Sequence, residues 1–159
     1  MIIGTIEIDR PPAEVFAYLE ELDRHSEWQG DLISSKIVSE GPVGVGTRAT
    51  DTRKVPGGPR EMTYEITEHD PPRKSSWQVL DGPVRGAGSV TVEPIGDGAR
   101  SRVGVEFDLK GHGLGRLIAP FARRQAAREV PKAQAKLKEI LERTAEGGSG
   151  ERGGVSSPP

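Results

Sequence analysis

The fold of this chain is indicated most clearly by residues 111–145, GHGLGRLIAPFARRQAAREVPKAQAKLKEILERTA. After the glycine-rich start, strong helix formers dominate and predict one long C-terminal helix over 114–145. Pro131 lies inside this pattern and predicts a kink, because it cannot donate a backbone hydrogen bond to Ala127. Apolar residues at helical spacing predict an inward face that comprises Leu117, Ile118, Phe121, Ala122, Ala126, Val130, Ala133, Leu137, Ile140 and Leu141.

The chain before this helix predicts an antiparallel sheet. Ile2, Ile6 and Ile8 alternate with polar residues, which is typical of a strand with one buried face. Two short helices follow, and the second ends near Trp28. From there to Leu109 six further strands are separated by turns rich in proline and glycine, with no helix between them. The order predicts an α+β fold in which a curved seven-stranded antiparallel sheet wraps around the long helix.

Length and composition indicate one globular domain. The chain has 159 residues, of which 33% are hydrophobic and 29% charged. We expect the domain to cover residues 1–145. Residues 146–159 are rich in Gly, Ser and Pro, which predicts a disordered tail.

Several classes of protein are disfavoured by composition. The formal net charge of -2 argues against a nucleic-acid binder. The absence of cysteine excludes disulfides and thiolate chemistry. The N-terminus lacks the pattern of a signal peptide, and no stretch approaches about 18 apolar residues, so we expect a cytoplasmic location.

Small residues on the predicted inward faces indicate a ligand cavity. Ala122, Ala126 and Ala133 on the helix, with Ala49 and Ser75 on the sheet, leave space that larger side chains would fill. Cavities of this kind are usually apolar with a few polar groups. The predicted ligand-binding residues are Ala49, Tyr64, Trp77, Phe107, Leu117, Phe121 and Ala122.

The aromatic residues allow two interpretations. Trp77 is equally consistent with a role in a cavity wall and with a role in the ordinary core. For Trp28, a role in packing is favoured over a contact with a ligand. Phe107 lies between these cases. The Tyr64 hydroxyl needs a partner if it is buried, which makes it a candidate polar contact for a ligand.

Three further residues are candidate polar contacts. Asp51 and Arg53 share the strand parity of Ala49, so they predict a charged pair at the cavity mouth, although a solvated strand end explains them as well. His112 lies between two glycines at the start of the long helix, where an exposed loop histidine is the alternative. The histidines lack the spacing of a metal site, and we expect neither a metal nor a cofactor.

Five segments across residues 3–143 carry a resemblance to a known family. They read IDRPPAEVFAYL at 8–19, HSEW at 25–28, VGTR at 45–48, YEITEHDPPR at 64–73 and GHGLG at 111–115. In these segments, and in its order of elements, the chain resembles the polyketide cyclase/dehydrase and lipid-transport family of the START-like (SRPBCC) superfamily. The resemblance implies a helix-grip fold and a hydrophobic ligand. It carries over no catalytic residue, since the family has no common catalytic motif.

The long helix is locally basic. Its positive residues are Arg116, Arg123, Arg124, Arg128, Lys132, Lys136 and Lys138, against Glu129 and Glu139. Such a stripe can attract an anionic membrane or an acidic partner, while a solvated helix face is the ordinary explanation. The sequence shows no bulky exposed apolar stripe beside these charges, so membrane insertion is not expected.

Three functions remain open at this point. The first is non-catalytic binding or transport of a lipid, an isoprenoid or a polyketide-like aromatic. The second is an aromatase/cyclase-type enzyme, which needs at least two ionisable groups inside the cavity, from Asp51, Arg53, Tyr64 and His112. The third is an accessory or stress protein with a vestigial pocket. We expect a binding protein more than an enzyme, and the sequence gives no oligomeric state.

Overall fold

The computed structural model describes residues 1–150, with side chains for residues 1–143. The strands are β1 Ile2–Ile8, β2 Leu32–Ile37, β3 Arg48–Val55, β4 Gly58–Asp70, β5 Lys74–Val79, β6 Val84–Ile95 and β7 Arg100–Gly111. The helices are α1 Pro12–Leu19, a 3₁₀ helix Leu22–Glu27 and α2 Gly115–Gly150. Within this part of the chain, no helix is both long enough and apolar enough to cross a membrane.

The seven strands form one antiparallel sheet in the order β1-β7-β6-β5-β4-β3-β2. Every pair from β2 to β7 joins strands that follow each other in the chain, and β1 closes on β7. The predicted α+β helix-grip architecture, a seven-stranded antiparallel sheet with one long C-terminal helix, is confirmed.

The apolar core lies in two clusters on the concave face. The first joins α1 and the second half of α2 to β1, β6 and β7, and comprises Ile8, Val15, Phe16, Tyr18, Leu19, Val92, Val103, Leu137 and Leu141. The second joins the 3₁₀ helix to β3, β4 and β5 and comprises Leu22, Ala49, Tyr64, Ile66 and Val79. Burial of these side chains contributes about 25 cal/mol per Å² of apolar surface.

Small residues allow α2 to approach the sheet closely. A Cβ atom on Gly115 would lie 1.8 Å from the Pro83 carbonyl oxygen, and one on Gly4 would lie 2.4 Å from Val130 Cγ1. Ala119, one turn after Gly115, is also buried. The Gly115 and Ala119 side of α2 therefore faces the rest of the protein at the start of the helix.

The predicted inward face of α2 is confirmed at its second half and wrong at its beginning. Leu137 and Leu141 are buried, whereas Leu117, Ile118 and Phe121 are exposed. The close contact at Gly115 turns the small residues inward and the large ones outward.

The helix also continues through Pro131 and runs to Gly150, five residues beyond the predicted domain boundary. The rest of the predicted tail, residues 151–159, lies outside the described residues.

Candidate functional site

β3 carries the polar residues that enter the interior. Side chains alternate along a strand, so Asp51 and Arg53 lie on the same face as the fully buried Ala49. Asp51 is 3% exposed. In the register of the sheet, Ser35 of β2 lies beside Asp51, and Tyr64 of β4 lies beside Ala49. Three adjacent strands thus bring Ser35, Asp51 and Tyr64 together on the concave face.

Arg53 ties this group to the segment after the 3₁₀ helix. Its Nη2 donates to Asp51 Oδ2 at 3.0 Å and to Gln29 Oε1 at 2.7 Å. Its Nη1 donates to Asp31 Oδ1 and Oδ2 at 3.1 and 3.2 Å. The structure therefore forms the Asp51–Arg53 pair, and the burial of Asp51 does not fit a solvated strand end. Two carboxylates share one guanidinium.

His25 and Trp28 border the same group. His25 Nε2 lies 2.7 Å from the Leu19 carbonyl oxygen, so Nε2 carries the hydrogen that is donated. Burial lowers the pKa of His25, and the carboxylate of Asp51 opposes this shift. In the neutral ring the lone pair is then on Nδ1. The Trp28 ring meets the His25 ring edge-on at 5.2 Å. We call His25, Trp28, Ser35, Asp51, Arg53 and Tyr64 the polar cluster.

Four atoms of the polar cluster are buried without a hydrogen-bond partner among the described residues. They are Trp28 Nε1, Ser35 Oγ, Asp51 Oδ1 and Tyr64 OH. Each such atom costs about 1–3 kcal/mol relative to its hydrated state. Most buried polar groups in proteins are paired with protein or ordered water, so these unpaired atoms, three of them on adjacent strands, indicate a place where bound water or a ligand supplies the partners.

The Tyr64 phenol stays protonated in this environment. Burial raises its pKa, and the negative charge of Asp51 raises it further. The Ser35 hydroxyl, which lies near the Tyr64 hydroxyl without meeting the geometry of a hydrogen bond, and the Arg53 cation act in the opposite direction. The Tyr64 hydroxyl can therefore donate a hydrogen bond to a ligand oxygen at neutral pH.

Two aromatic residues meet over a glycine on the same face of the sheet. Gly88 of β6 lies between Trp77 of β5 and Phe107 of β7 in the register. A Cβ atom there would lie 2.4 Å from Phe107 Cβ and 2.9 Å from Trp77 Cζ2. Since Gly88 has no side chain, the two rings approach with their centroids 6.3 Å apart. Trp77 also packs against the second apolar cluster.

The remaining predicted site residues lie elsewhere. Leu117 and Phe121 are exposed on the outer side of α2, and Ala122 is half-buried. His112 is exposed in the loop before α2, where its backbone N–H donates to the Pro83 carbonyl. Its side chain makes no ion pair or hydrogen bond with the polar cluster within the described part of the chain. The assignment of these residues to a ligand stays a prediction.

Sequence reasoning missed His25 and Ser35 and treated Trp28 as a packing residue. The spacing of His25 and Trp28, three residues apart in a helical segment, was a usable signal that they share a face. Ser35 had no such signal. Its position beside Asp51 depends on a register shift between Leu32 and Ser34, which strand parity does not reveal.

Two further observations delimit the site. Among the side chains that the structure describes, residues 1–143, no group of three or more His, Cys, Asp or Glu is placed to hold a metal ion. A surface groove of about 330 Å³ is lined by Asp70, Arg73, Lys74 and residues 91–94. It shares no residue with the polar cluster.

Comparisons with known proteins agree with this architecture. A model of the family described as polyketide cyclase/dehydrase and lipid transport matches residues 3–142. A search of curated proteins finds no sequence match.

Among solved structures, the Zhui aromatase/cyclase from Streptomyces sp. R1128 is similar, with a TM-score of 0.70 and 19% identity over 97% of this chain and 98% of that chain. A START superfamily protein from Mycobacterium smegmatis has a TM-score of 0.74 and 10% identity over 90% and 97% of the two chains. The di-domain ARO/CYC BexL, from the BE-7585A biosynthetic pathway, has a TM-score of 0.69 and 20% identity over 88% and 45%. At these identities the structural likeness establishes the fold alone.

Proposed function

This chain belongs to the polyketide cyclase/dehydrase and lipid transport family, and on that premise we propose that it binds an apolar small molecule bearing hydroxyl or keto groups. The ligand lies between the sheet and α2. Its oxygen atoms form hydrogen bonds with the polar cluster, and its rings or chain contact the apolar residues around the cluster.

The single observation that carries this proposal is the set of four buried, unpartnered polar atoms. Trp28 Nε1 can only donate a hydrogen bond, and an ionised Asp51 Oδ1 can only accept one, whereas the hydroxyls of Ser35 and Tyr64 can do both. A complementary ligand therefore carries at least one acceptor and one donor. Phenols and enolised 1,3-diketones carry both, whereas the hydrocarbon chain of a lipid or of an isoprenoid carries neither. Of the three ligand classes that the sequence left open, a polyketide-like aromatic fits best.

The aromatic pair supports the same ligand class. Trp77 and Phe107 present a broad apolar surface over Gly88. Planar rings gain from stacking or edge contacts with such a pair, by about 0.5–1.5 kcal/mol beyond the burial of their area.

A matched pair of ligands tests the proposal. We expect 2,6-dihydroxynaphthalene to quench the tryptophan fluorescence and to bind roughly tenfold or more tightly than its isostere 2,6-dimethylnaphthalene, because only the diol satisfies buried polar atoms. Tyr64→Phe should reduce this ratio. Tyr18→Phe, which removes the hydroxyl of the other tyrosine, should leave it unchanged. The proposal would be contradicted if the wild type bound the two ligands with equal affinity. It would also be contradicted if Tyr64→Phe kept the wild-type ratio of diol affinity to dimethylnaphthalene affinity.

An aromatase/cyclase-type enzyme is the second candidate, and one observation favours it. Ionisable groups lie in the interior, since Asp51 is buried beside Arg53. The charges of Asp51 and Arg53 also act on the pKa values of His25 and Tyr64, the first raising and the second lowering them. A base near a 1,3-diketone could remove a proton from carbon while Arg53 and Tyr64 hold the enolate oxygen. His112 contributes nothing to this arrangement.

Mass spectrometry separates the two candidates. A poly-ketone that is offered to the protein and recovered with its mass unchanged supports binding, and recovery of a product lighter by water supports cyclisation. If neither the poly-ketone nor a product is retained by the protein, the third function, an accessory protein with a vestigial pocket, is favoured. The cytoplasmic location stays a prediction.

A further inference from the structure

The start of α2 carries an apolar stripe on its outer surface. Leu114 is 82% exposed, Leu117 73%, Ile118 44% and Phe121 69%. Their positions recur at helical spacing, so they form one continuous row. We call these four residues the outer stripe. The sequence pattern assigned three of them to the interior and predicted no apolar surface beside the basic residues, and the structure corrects both expectations.

The fold holds the outer stripe outward. On the other side of the helix, Gly115 is in close contact with Pro83 and Ala119 is buried. Rotating α2 to bury Phe121 would bring a large side chain to the place where even a single added Cβ atom would lie 1.8 Å from the Pro83 carbonyl oxygen. The stripe therefore stays exposed unless another molecule covers it.

The surroundings of the stripe are positively charged. From Gly111 to Arg128 the chain has no acidic residue, and its arginines are Arg116, Arg123, Arg124 and Arg128. Arg123 lies 4.0 Å from Asp108. The other three arginines form no ion pair with any described side chain. In a chain of net charge -2, this segment thus carries positive charge without local compensation beside an exposed apolar row.

Two of these arginines lie on the same side of α2 as the stripe. Arg124 follows Phe121 by three residues and Leu117 by seven, and Arg128 follows Phe121 by seven. At 3.6 residues per turn, these spacings return to the same face of the helix. Apolar side chains and guanidinium groups are therefore presented to the same external surface.

The charge indicates what covers the stripe. A second copy of the chain, related by a two-fold axis, would bring a second set of arginines against the first, and like charges at an interface are repulsive. An apolar row flanked by arginines is instead the pattern of helices that lie in the interface of an anionic bilayer. We propose that the outer stripe docks on an anionic lipid membrane, with its apolar side chains among the acyl chains and Arg124 and Arg128 at the phosphates.

Vesicle co-sedimentation tests the docking surface. We expect the wild-type protein to bind phosphatidylcholine vesicles that contain about 30% phosphatidylglycerol roughly tenfold more tightly than pure phosphatidylcholine vesicles, and to be released by salt. The double variant Leu117→Glu with Phe121→Glu should lose binding. The matched control is Ile3→Glu, because Ile3 is 67% exposed on the edge strand β1.

The charges are tested separately. Arg124→Glu with Arg128→Glu should weaken binding to the anionic vesicles roughly tenfold or more, whereas Lys36→Glu on β2 should not. All variants change exposed side chains, and urea unfolding checks that each is folded. The proposal is overturned if the wild type does not sediment with anionic vesicles, if the stripe variants bind like Ile3→Glu, or if the stripe instead mediates self-association or binding to an acidic protein.

Discussion

The two tyrosines of this protein are equally buried but differ in their hydroxyl groups. Tyr18 and Tyr64 are both 9% exposed. The Tyr18 hydroxyl donates to Glu27 Oε2 at 2.8 Å, and burial together with this carboxylate raises its pKa to about 12. The Tyr64 hydroxyl has no partner among the described residues. One hydroxyl stabilises the fold, and the other carries a desolvation cost that the proposed ligand would offset.

Substitution of each tyrosine by phenylalanine should have opposite consequences. We expect Tyr18→Phe to lower the free energy of unfolding by about 1–2 kcal/mol, because a hydrogen bond to a charged group is lost. Tyr64→Phe should leave it unchanged or raise it by about 1 kcal/mol, because an unsatisfied buried group is removed. Urea unfolding followed by tryptophan fluorescence measures both. A loss in Tyr64→Phe as large as that in Tyr18→Phe would mean that the Tyr64 hydroxyl has a partner in the protein itself.

At the scale of the element, the position of α2 depends on glycine. The helix is locally specified by its composition, but its approach to the sheet depends on the absence of side chains at Gly4 and Gly115. The same contact at Gly115 directs the outer stripe to the surface.

Gly115→Ala should therefore be costly. We expect a loss of about 2–4 kcal/mol in the free energy of unfolding, since the new methyl group meets the backbone at Pro83 and the helix must move. Gly44→Ala is the matched control, because a Cβ atom there would have no neighbour within 4 Å. Thermal or urea unfolding of both variants checks the prediction. Similar stability of the two variants would show that α2 can move without loss.

At the scale of the whole molecule, partly buried His25 makes the fold sensitive to acid. Burial lowers the pKa of His25 below its ordinary value of 6.5. The unfolded chain therefore binds a proton at His25 more readily than the folded protein does. Stability is fully present above about pH 6.5 and is lost as the pH falls toward the pKa of the folded state. Glu27 and Glu142 add a second loss below about pH 4.5, because hydrogen bonds from Arg24 and from Lys138 lower their pKa values.

His25→Gln should make the free energy of unfolding depend less steeply on pH just below pH 6.5. The amide can still donate to the Leu19 carbonyl but does not titrate, so the decline in stability just below pH 6.5 should become shallower. Urea midpoints between pH 5 and 8 measure the effect. His112→Gln, in an exposed loop, should keep the wild-type profile. If both variants behave alike, the acid sensitivity arises elsewhere in the molecule.

Much of the fold could be predicted because its signals are local. Alternation at Ile2, Ile6 and Ile8 marks a strand, proline and glycine turns separate the others, and helix formers after Gly115 mark the long helix. Part of the site was also visible. The parity of Ala49, Asp51 and Arg53 in one strand was enough to predict a charged pair on the inner face.

Other features depend on residues that are distant in the chain. Whether Ser35 reaches Asp51 depends on an irregularity in the pairing of β2 with β3, and His25 enters the site through the packing of a 3₁₀ helix. Which side of α2 faces water depends on a glycine meeting a proline carbonyl more than thirty residues away. The sequence by itself determined the elements and their order, because backbone propensity and hydrophobic period act over a few residues. Only the tertiary structure decided which side chains contact each other in the site and which face of α2 is exposed, because steric contact and hydrogen bonding act between residues that are distant in the chain.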